Sequence, residues 1–324
     1  MPEIVTVGEA LVEVMRTRRD CPLDKPAEFA GPYPSGAPAI FASAAARLGA
    51  SVGFVGTVGE DAFGDCVLNR LLDDGVDCSA VRRMKDRLTG IAFVAYRSDG
   101  SRSFIFHLPQ AAAAFVDLEQ IPRGYLDSVR YVHIMGSSLS ISPSLRETCY
   151  YVAEQVKARG GTVSLDPNLR PELLPLEEIQ RVCAPILSLA DVIFPSGEEL
   201  AMLTGEQDPD KGAARLLAGG AKIVALKMGE YGSRIYTRRR KRDIPPFRVQ
   251  EVDPTGAGDC YDAAFIVGLA SGWPLEVVGA FANAVGALAT TRLGPMEGAF
   301  PRARVEEFMT EQGRPLTRML AGEE

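Results

Sequence analysis

No Gly-Lys pair occurs anywhere in the 324 residues, which excludes the G-x-x-x-x-G-K-[ST] loop that cradles phosphates in Walker-type ATPases. The first strand-like run, Ile4-Val5-Thr6-Val7-Gly8, continues as Glu9-Ala10-Leu11, so the G-x-G-x-x-G turn of a dinucleotide enzyme is missing too. Histidine is scarce. His107 and His133 are the only two, and a histidine so isolated is more often a satisfied structural residue than a base. The six cysteines, Cys21, Cys66, Cys78, Cys149, Cys183 and Cys260, include no C-x-x-C pair, a pattern expected of a reduced, cytoplasmic protein without a Cys/His metal site. An excess of positive charge is lacking as well: 35 basic against 42 acidic residues leave a formal net charge of -7. That balance offers no footprint for nucleic acid or an anionic membrane surface. The one basic run, Arg238-Arg239-Arg240-Lys241-Arg242, lies between two extended segments and is expected to be a solvated hairpin tip. Met1-Pro2-Glu3 lacks the basic start of a signal peptide. The most apolar region, Ala263 to Thr291, is broken around Gly272-Trp273-Pro274 into two helix-sized pieces too short to span a bilayer.

What the chain does have is Asp253-Pro254-Thr255-Gly256-Ala257-Gly258-Asp259. An extended, β-branched run from Phe247 to Val252 precedes it, and a small-residue helix from Cys260 to Leu269 follows, so it reads as a strand–loop–helix junction. Gly256, Ala257 and Gly258 leave their backbone amides open to an anion at the positive end of the helix dipole. A carboxylate at Asp259 suits such a place if it faces an alcohol and takes its proton while the amides and a metal absorb phosphoryl charge. The plainer alternative is a glycine turn with a capping aspartate.

Around this stretch the chain alternates strand and helix patterns, with 46% hydrophobic residues for a core. Glu9 and Glu13 follow the first strand, and an alanine-rich helix runs from Ser35-Gly36-Ala37-Pro38 to Gly49. Ser51 to Gly59 reads as a strand, and the next helix carries Val67, Leu68, Leu71 and Leu72 on one face. Between Arg16 and Tyr33 the pattern is irregular, extended or loop. Ile91–Arg97 and Ser103–His107 flank a turn at Ser98-Asp99-Gly100-Ser101, an antiparallel excursion suited to a lid. Further strands are expected at 131–136, 162–166, 191–194 and 223–229, and a helix opened by Ser144 with Glu147 as a capping box. Acidic or glycine-rich loops end several of these strands, where α/β sheets assemble their sites. No repeat or low-complexity linker divides the chain.

Taken in order, Gly36-Ala37-Pro38, Gly59-Glu60-Asp61-Ala62-Phe63-Gly64, Asp166-Pro167-Asn168-Leu169-Arg170, Gly229-Glu230-Tyr231-Gly232 and Asp253–Asp259 resemble the PfkB, or ribokinase-like, carbohydrate kinases. The resemblance runs from Gly8 to about residue 298. It implies a three-layer α/β/α core with a mostly parallel central sheet in one domain over 1–324, and a small β-sheet lid from about 11–33 and 91–116. It implies ATP as donor, Mg2+ as metal with room for K+, and a homodimer through the lid. Asp259 is then the base, and the amides of Gly256, Ala257 and Gly258 the anion hole. Glu13, Gly36, Ile40, His107, Asn168 and Arg170 would meet the sugar. Lys227, Gly229, Gly232, Thr255, Gly256, Gly258 and Asn283 would hold the nucleotide, and Glu199 would order the metal through water. The chain departs from the family pattern at Ile40 and Ser196, where Asn is usual, and at Glu13, where Asp is usual. Relatives that act on 2-keto-3-deoxygluconate commonly pair a D-x-N-x-R like Asp166–Arg170 with an arginine near His107, and the second feature is absent here; Arg170 suits a sugar carboxylate or loop ordering, so a ketohexose such as fructose or tagatose competes with 2-keto-3-deoxygluconate. A nucleoside kinase, with Ile40, Phe104 and Phe106 in an apolar pocket, and a non-catalytic sugar-binding protein are the alternatives.

Overall fold

The computed structural model of the chain describes residues 1–99 and 101–322. β1 (Ile4–Val7) leads to β2 (Leu11–Arg16), β3 (Phe29–Ser35), α1 (Ala37–Arg47), β4 (Val52–Gly59), α2 (Ala62–Asp73) and β5 (Asp77–Met84). Next come β6 (Gly90–Tyr96), β7 (Arg102–His107), β8 (Tyr131–Met135), α3 (Gly136–Ile141), α4 (Pro143–Ala158), β9 (Thr162–Asp166), α5 (Leu176–Leu189) and β10 (Val192–Ile193). The last part holds α6 (Gly197–Thr204), α7 (Pro209–Ala218), β11 (Ile223–Lys227), β12 (Ser233–Thr237), β13 (Lys241–Ile244), α8 (Ala257–Ala270), α9 (Leu275–Ala289), α10 (Arg302–Glu311) and α11 (Leu316–Ala321).

Nine strands form the central sheet, in the order β13-β12-β11-β10-β9-β8-β1-β4-β5. Pairings from β11 across to β5 are all parallel, and β12 is antiparallel to both its neighbours. Parallel strands covered by helices on both faces lose contact with water on both sides and can be continuously apolar. All four residues of β1 and all eight of β4 are buried. One core cluster joins Phe41, Phe265 and Phe281 of α1, α8 and α9, and another joins Leu145, Ile186 and Leu217 of α4, α5 and α7. Ile4 belongs to the first and Val5 and Val7 to the second, so the clusters occupy opposite faces, as the period of two along a strand requires. The result is the three-layer α/β/α architecture with a mostly parallel sheet.

A second sheet stands apart, ordered β3-β2-β6-β7. β6 and β7 pair antiparallel as the hairpin pattern implies, but β2 and β6 pair parallel, so the sheet is mixed. Gly100 of the connecting turn lies outside the described residues. The irregular stretch before residue 35 contains β3. Its Pro32 and Pro34 sit on an edge strand, where a missing N–H need not break the ladder. After His107 the chain leaves this sheet, and Ala113, Ala114 and Val116 enter the main core beside Val5 and Val55.

Four local expectations need correction. Residues 247–252 form no strand; the amides of Val252 and Asp253 donate to the Thr290 carbonyl instead of to a sheet partner. α4 is capped two residues earlier, at Ser142 and not Ser144, because Pro143 is pre-set for the first turn and Ser142 Oγ accepts the Leu145 amide. Ser144 Oγ donates to the Val116 carbonyl at 2.7 Å. On α2, Val67 and Leu71 are buried but Leu72 is 52% exposed, so the apolar stripe is narrower than four positions. β5, with Asp77, Arg82 and Arg83 among its residues, was not expected as a strand; it is the half-buried edge of the main sheet. The basic run lies at a hairpin tip as expected: Arg238 to Arg240 join β12 to β13, and Lys241 and Arg242 open β13.

Candidate active site

A cavity of about 490 Å³ opens where the carboxyl ends of β1, β9 and β11 face the inner side of the small sheet. Strand ends in open α/β sheets collect side chains there because each following loop turns away from the sheet. At its floor lies the amino end of α8. Gly256 caps the helix with φ 78° and ψ -5°, a left-handed conformation, and a Cβ there would lie 2.3 Å from the Pro295 carbonyl. Only glycine meets both conditions. The helix therefore starts with Ala257 and Gly258, and its third residue, Asp259, points into the cavity.

Asp259 is 8% exposed. Burial, reinforced by the nearby negative charge of Asp166, pushes its carboxyl up to about 7, against the opposing pull of Lys227 and Arg170. Below it runs a buried charge network. Lys227 Nζ donates to Asp166 Oδ2 at 2.8 Å and to Asp262 Oδ2 at 3.2 Å. Burial raises both carboxyls, but at Asp166 the Lys227 charge and a hydrogen bond from Asp262 outweigh it and hold the group low, while Asp262 ends well above the carboxylate range. Lys227 also sits under the anion-binding turn, 3.5 Å from where a Gly258 Cβ would be.

The opposite wall is built from β1, β2 and the start of α1. Glu13, 7% exposed, accepts from Ser35 Oγ at 2.7 Å, has no partner for Oε2 among the described residues, and is pushed by burial up to about 7. Glu9 is raised by burial too, although Ser137 and Ser138 donate to its two oxygens at 2.8 and 2.5 Å. Gly36 has φ 109°, and a Cβ would fall 2.3 Å from the Glu9 carbonyl. Gly36→Ala is therefore expected to cost about 1–3 kcal/mol of stability, read as a lowered urea midpoint, and to move Glu9 and Glu13 enough to weaken acceptor binding.

From the small sheet, Phe104 and Phe106 stack at 5.3 Å and line the cavity with Arg102. The strand period puts His107 on the other face, exposed and edge-on to Phe93. His133 is a structural residue: stacked 4.2 Å from Phe41, bonded to Ser164 Oγ, and pushed by burial down to about 3.

The cavity thus gathers Glu13, Gly36, Ile40, Asn168, Arg170, Glu199, Lys227, Thr255, Gly256, Gly258 and Asp259. It does not gather Ala257, His107, Gly229, Gly232 or Asn283; the Ala257 amide donates to the Pro254 carbonyl at 3.3 Å, and Gly229 and Gly232 bound the turn between β11 and β12. Glu199 and Ser196 form a capping box on α6, and the Glu199 oxygens accept the Leu169 and Ser196 amides at 3.1 and 2.8 Å. Ser196, where the family usually has Asn, is thus a helix cap. Sequence reasoning missed Arg102, Tyr96, Ser137 and Ser138. Alternation along β7 from Phe104 and Phe106 points to Arg102, whereas nothing local marks the two serines that cross to Glu9.

A family model described as pfkB family carbohydrate kinase matches residues 1–302. The 2-dehydro-3-deoxygluconokinase of Bacillus subtilis (strain 168) is 31% identical over 281 residues, 86% of this chain and 87% of that protein. A ribokinase II from E. coli, solved with ATP and Mg2+, superposes with a TM-score of 0.89 at 38% identity, covering 96% of this chain and all of that one. A double mutant of fructokinase from Vibrio cholerae O395, bound to fructose, ADP and a potassium ion, gives 0.83 at 30% identity over 94% of this chain and 98% of its own. Sequence and fold agree across almost the full length, and on that ground the chain belongs to the pfkB family of carbohydrate kinases and is a sugar-directed phosphotransferase.

Proposed function

We propose that the chain transfers the γ-phosphoryl group of ATP to a primary hydroxyl of a ketose or keto-deoxy-sugar acid, with Asp259 as general base. The observation that carries this reading is Asp259 itself: buried at the amino end of α8, beside Gly256 and Gly258 at the cavity wall, with its carboxyl pushed up to about 7. A base of that strength is matched to taking a hydroxyl proton near neutral pH. The amides of Gly256, Ala257 and Gly258 receive the phosphoryl charge. The buried Glu13 Oε2 and Asn168 Oδ1 suit sugar hydroxyls, because each lacks a donor among the described residues.

The nucleotide's place in this reading is against Lys227, Thr255 and the Gly229–Gly232 turn. Asn283 shapes the adenine end indirectly, since its amide donates to the Ile244 and Pro245 carbonyls. Mg2+ bound with the phosphates supplies charge neutralisation. Among the described residues no three His, Cys, Asp or Glu side chains cluster as a metal cage. Glu199, fixed by two amides at the cavity wall, fits a hold through water. The homodimer belongs to the same reading: Phe29 and Ile105 are 38% and 47% exposed and give the small sheet an apolar patch.

Arg170 decides between substrates. It lines the cavity, and among the described residues its guanidinium donates only to the Leu169 carbonyl, which leaves it free for a carboxylate. ADP release is measured with ATP and Mg2+ against fructose, tagatose, ribose, 2-keto-3-deoxygluconate, 5-keto-2-deoxygluconate and adenosine. A keto-sugar acid is expected to lead, and Arg170→Ala to weaken its kcat/KM by about 10²-fold while sparing fructose. Equal loss on both substrates assigns Arg170 to loop ordering. The apolar wall of Ile40, Phe104 and Phe106 favours a nucleoside, and adenosine turnover above that of every sugar would establish it.

A further inference from the structure

We propose that Arg102 is a catalytic residue, delivered by the small sheet to the phosphoryl group in flight. The register sets its direction. In the β6–β7 pair Arg102 stands opposite Tyr96, with Phe104 opposite Val94 and Phe106 opposite Ala92, so all of these share the face that lines the cavity. Tyr96 pins that end of the sheet to the anion-binding loop, because its hydroxyl lies 3.0 Å from Asp253 Oδ1 and 2.7 Å from Thr255 Oγ1. Asp253 is itself fixed by the Thr255 and Gly294 amides. Arg102 Nη1 then reaches Thr255 Oγ1 at 3.5 Å, one residue before Gly256.

Charge explains why a guanidinium belongs there. Glu9, Glu13, Asp166, Glu199 and Asp259 line the cavity, and of the cations facing them Lys227 is already held by Asp166 and Asp262. Arg170 acts on Asp259, lowering its carboxyl. Arg102 is exposed, and among the described residues Thr255 Oγ1 is the acceptor it reaches. A planar fork beside the amides of Gly256 to Gly258 adds donors where equatorial oxygens gain charge as the phosphoryl group leaves ADP for the sugar oxygen. Its nearest competing task is reading the acceptor, since its charge also lowers the Glu13 carboxyl.

The inference rests on the placement of the phosphoryl group at Gly256–Gly258. The test compares wild type, Arg102→Gln and Arg102→Lys, three proteins that share an exposed position on an edge strand. Calorimetry measures binding of MgADP with aluminium fluoride, a mimic of the phosphoryl group in flight, in the presence of the sugar that the substrate panel selects. Expected are a loss of about 10²-fold in mimic affinity and in kcat for Arg102→Gln, unchanged dissociation constants for MgADP and sugar, and an intermediate loss for the lysine variant. Weakened sugar binding with mimic affinity and kcat retained overturns the proposal and makes Arg102 an acceptor reader. Full retention of all constants overturns it also. Failure of the wild type to bind the mimic defeats the placement of the phosphoryl group first, and the role of Arg102 with it.

Discussion

Asp259→Asn lowers kcat by about 10²–10⁴-fold, the contribution of a positioned general base, and leaves MgATP binding nearly intact. Two further measurements separate this outcome from a general loss of structure. In the wild type, kcat/KM rises with pH and levels off with an apparent pKa near the value of about 7 to which burial and Asp166 push the carboxyl; the asparagine variant loses that limb. Stability moves the other way. The folded carboxyl titrates at about 7 and the unfolded one at 3.8, so between those values the folded state keeps a proton that the unfolded chain has released. Stability therefore falls as pH rises through this window, by up to about 4 kcal/mol once both states are ionised. Asparagine has no such loss. Asp259→Asn is expected to melt above the wild type at pH 8, with the gap narrowing toward pH 5. Glu13 contributes with the same sign but is present in both proteins and cancels. Unchanged turnover removes Asp259 from its role, and a lower melting temperature at pH 8 removes the buried-charge account.

Lys227→Met has the largest expected effect on the fold. The ammonium is shared by Asp166 and Asp262, and their side chains are 4% and 0% exposed. Taking away the common cation leaves one carboxylate charged in a dry interior or forces it to take up a proton. Breaking a buried pair in this way costs about 3–5 kcal/mol, read as a shift in the urea midpoint at unchanged m-value. Adding Asp166→Asn is expected to recover part of the loss, since it removes the carboxylate that Lys227 and Asp262 hold in its charged form. Catalysis reports the same network: Lys227 lowers the Asp259 carboxyl, so without it the acid limb of the pH profile moves to higher pH. An unshifted limb in a protein that still folds would show that Lys227 acts on stability alone.

Much of the site is legible in the sequence because its chemistry is local. Gly256 must adopt a left-handed conformation within van der Waals reach of Pro295, and Asp259 follows it by three positions, so one short stretch specifies turn, helix start and acid together. The same holds for Asp166 and Arg170 at the end of β9. Misreadings came where two parts of the chain compete for one backbone. Residues 247–252 look like a strand, yet at their end the Val252 and Asp253 amides go to the Thr290 carbonyl. Ser144 looks like a cap, yet Val116 takes its hydroxyl.

By itself, then, the sequence determined the alternation of elements, the apolar strands of a sheet buried on both faces, and the anion-binding turn with its acid. These depend on periodicity and on backbone conformations that few residues allow. Tertiary structure alone decided how the charges meet. Lys227 lies 61 residues from Asp166 and 35 from Asp262, Glu9 is held by serines more than a hundred positions away, and Tyr96 and Arg102 reach Thr255 across a gap between two sheets. Coulombic and desolvation energies depend on distance and burial in space. The carboxyl of Asp259 comes to titrate near neutrality only when the fold has closed around it.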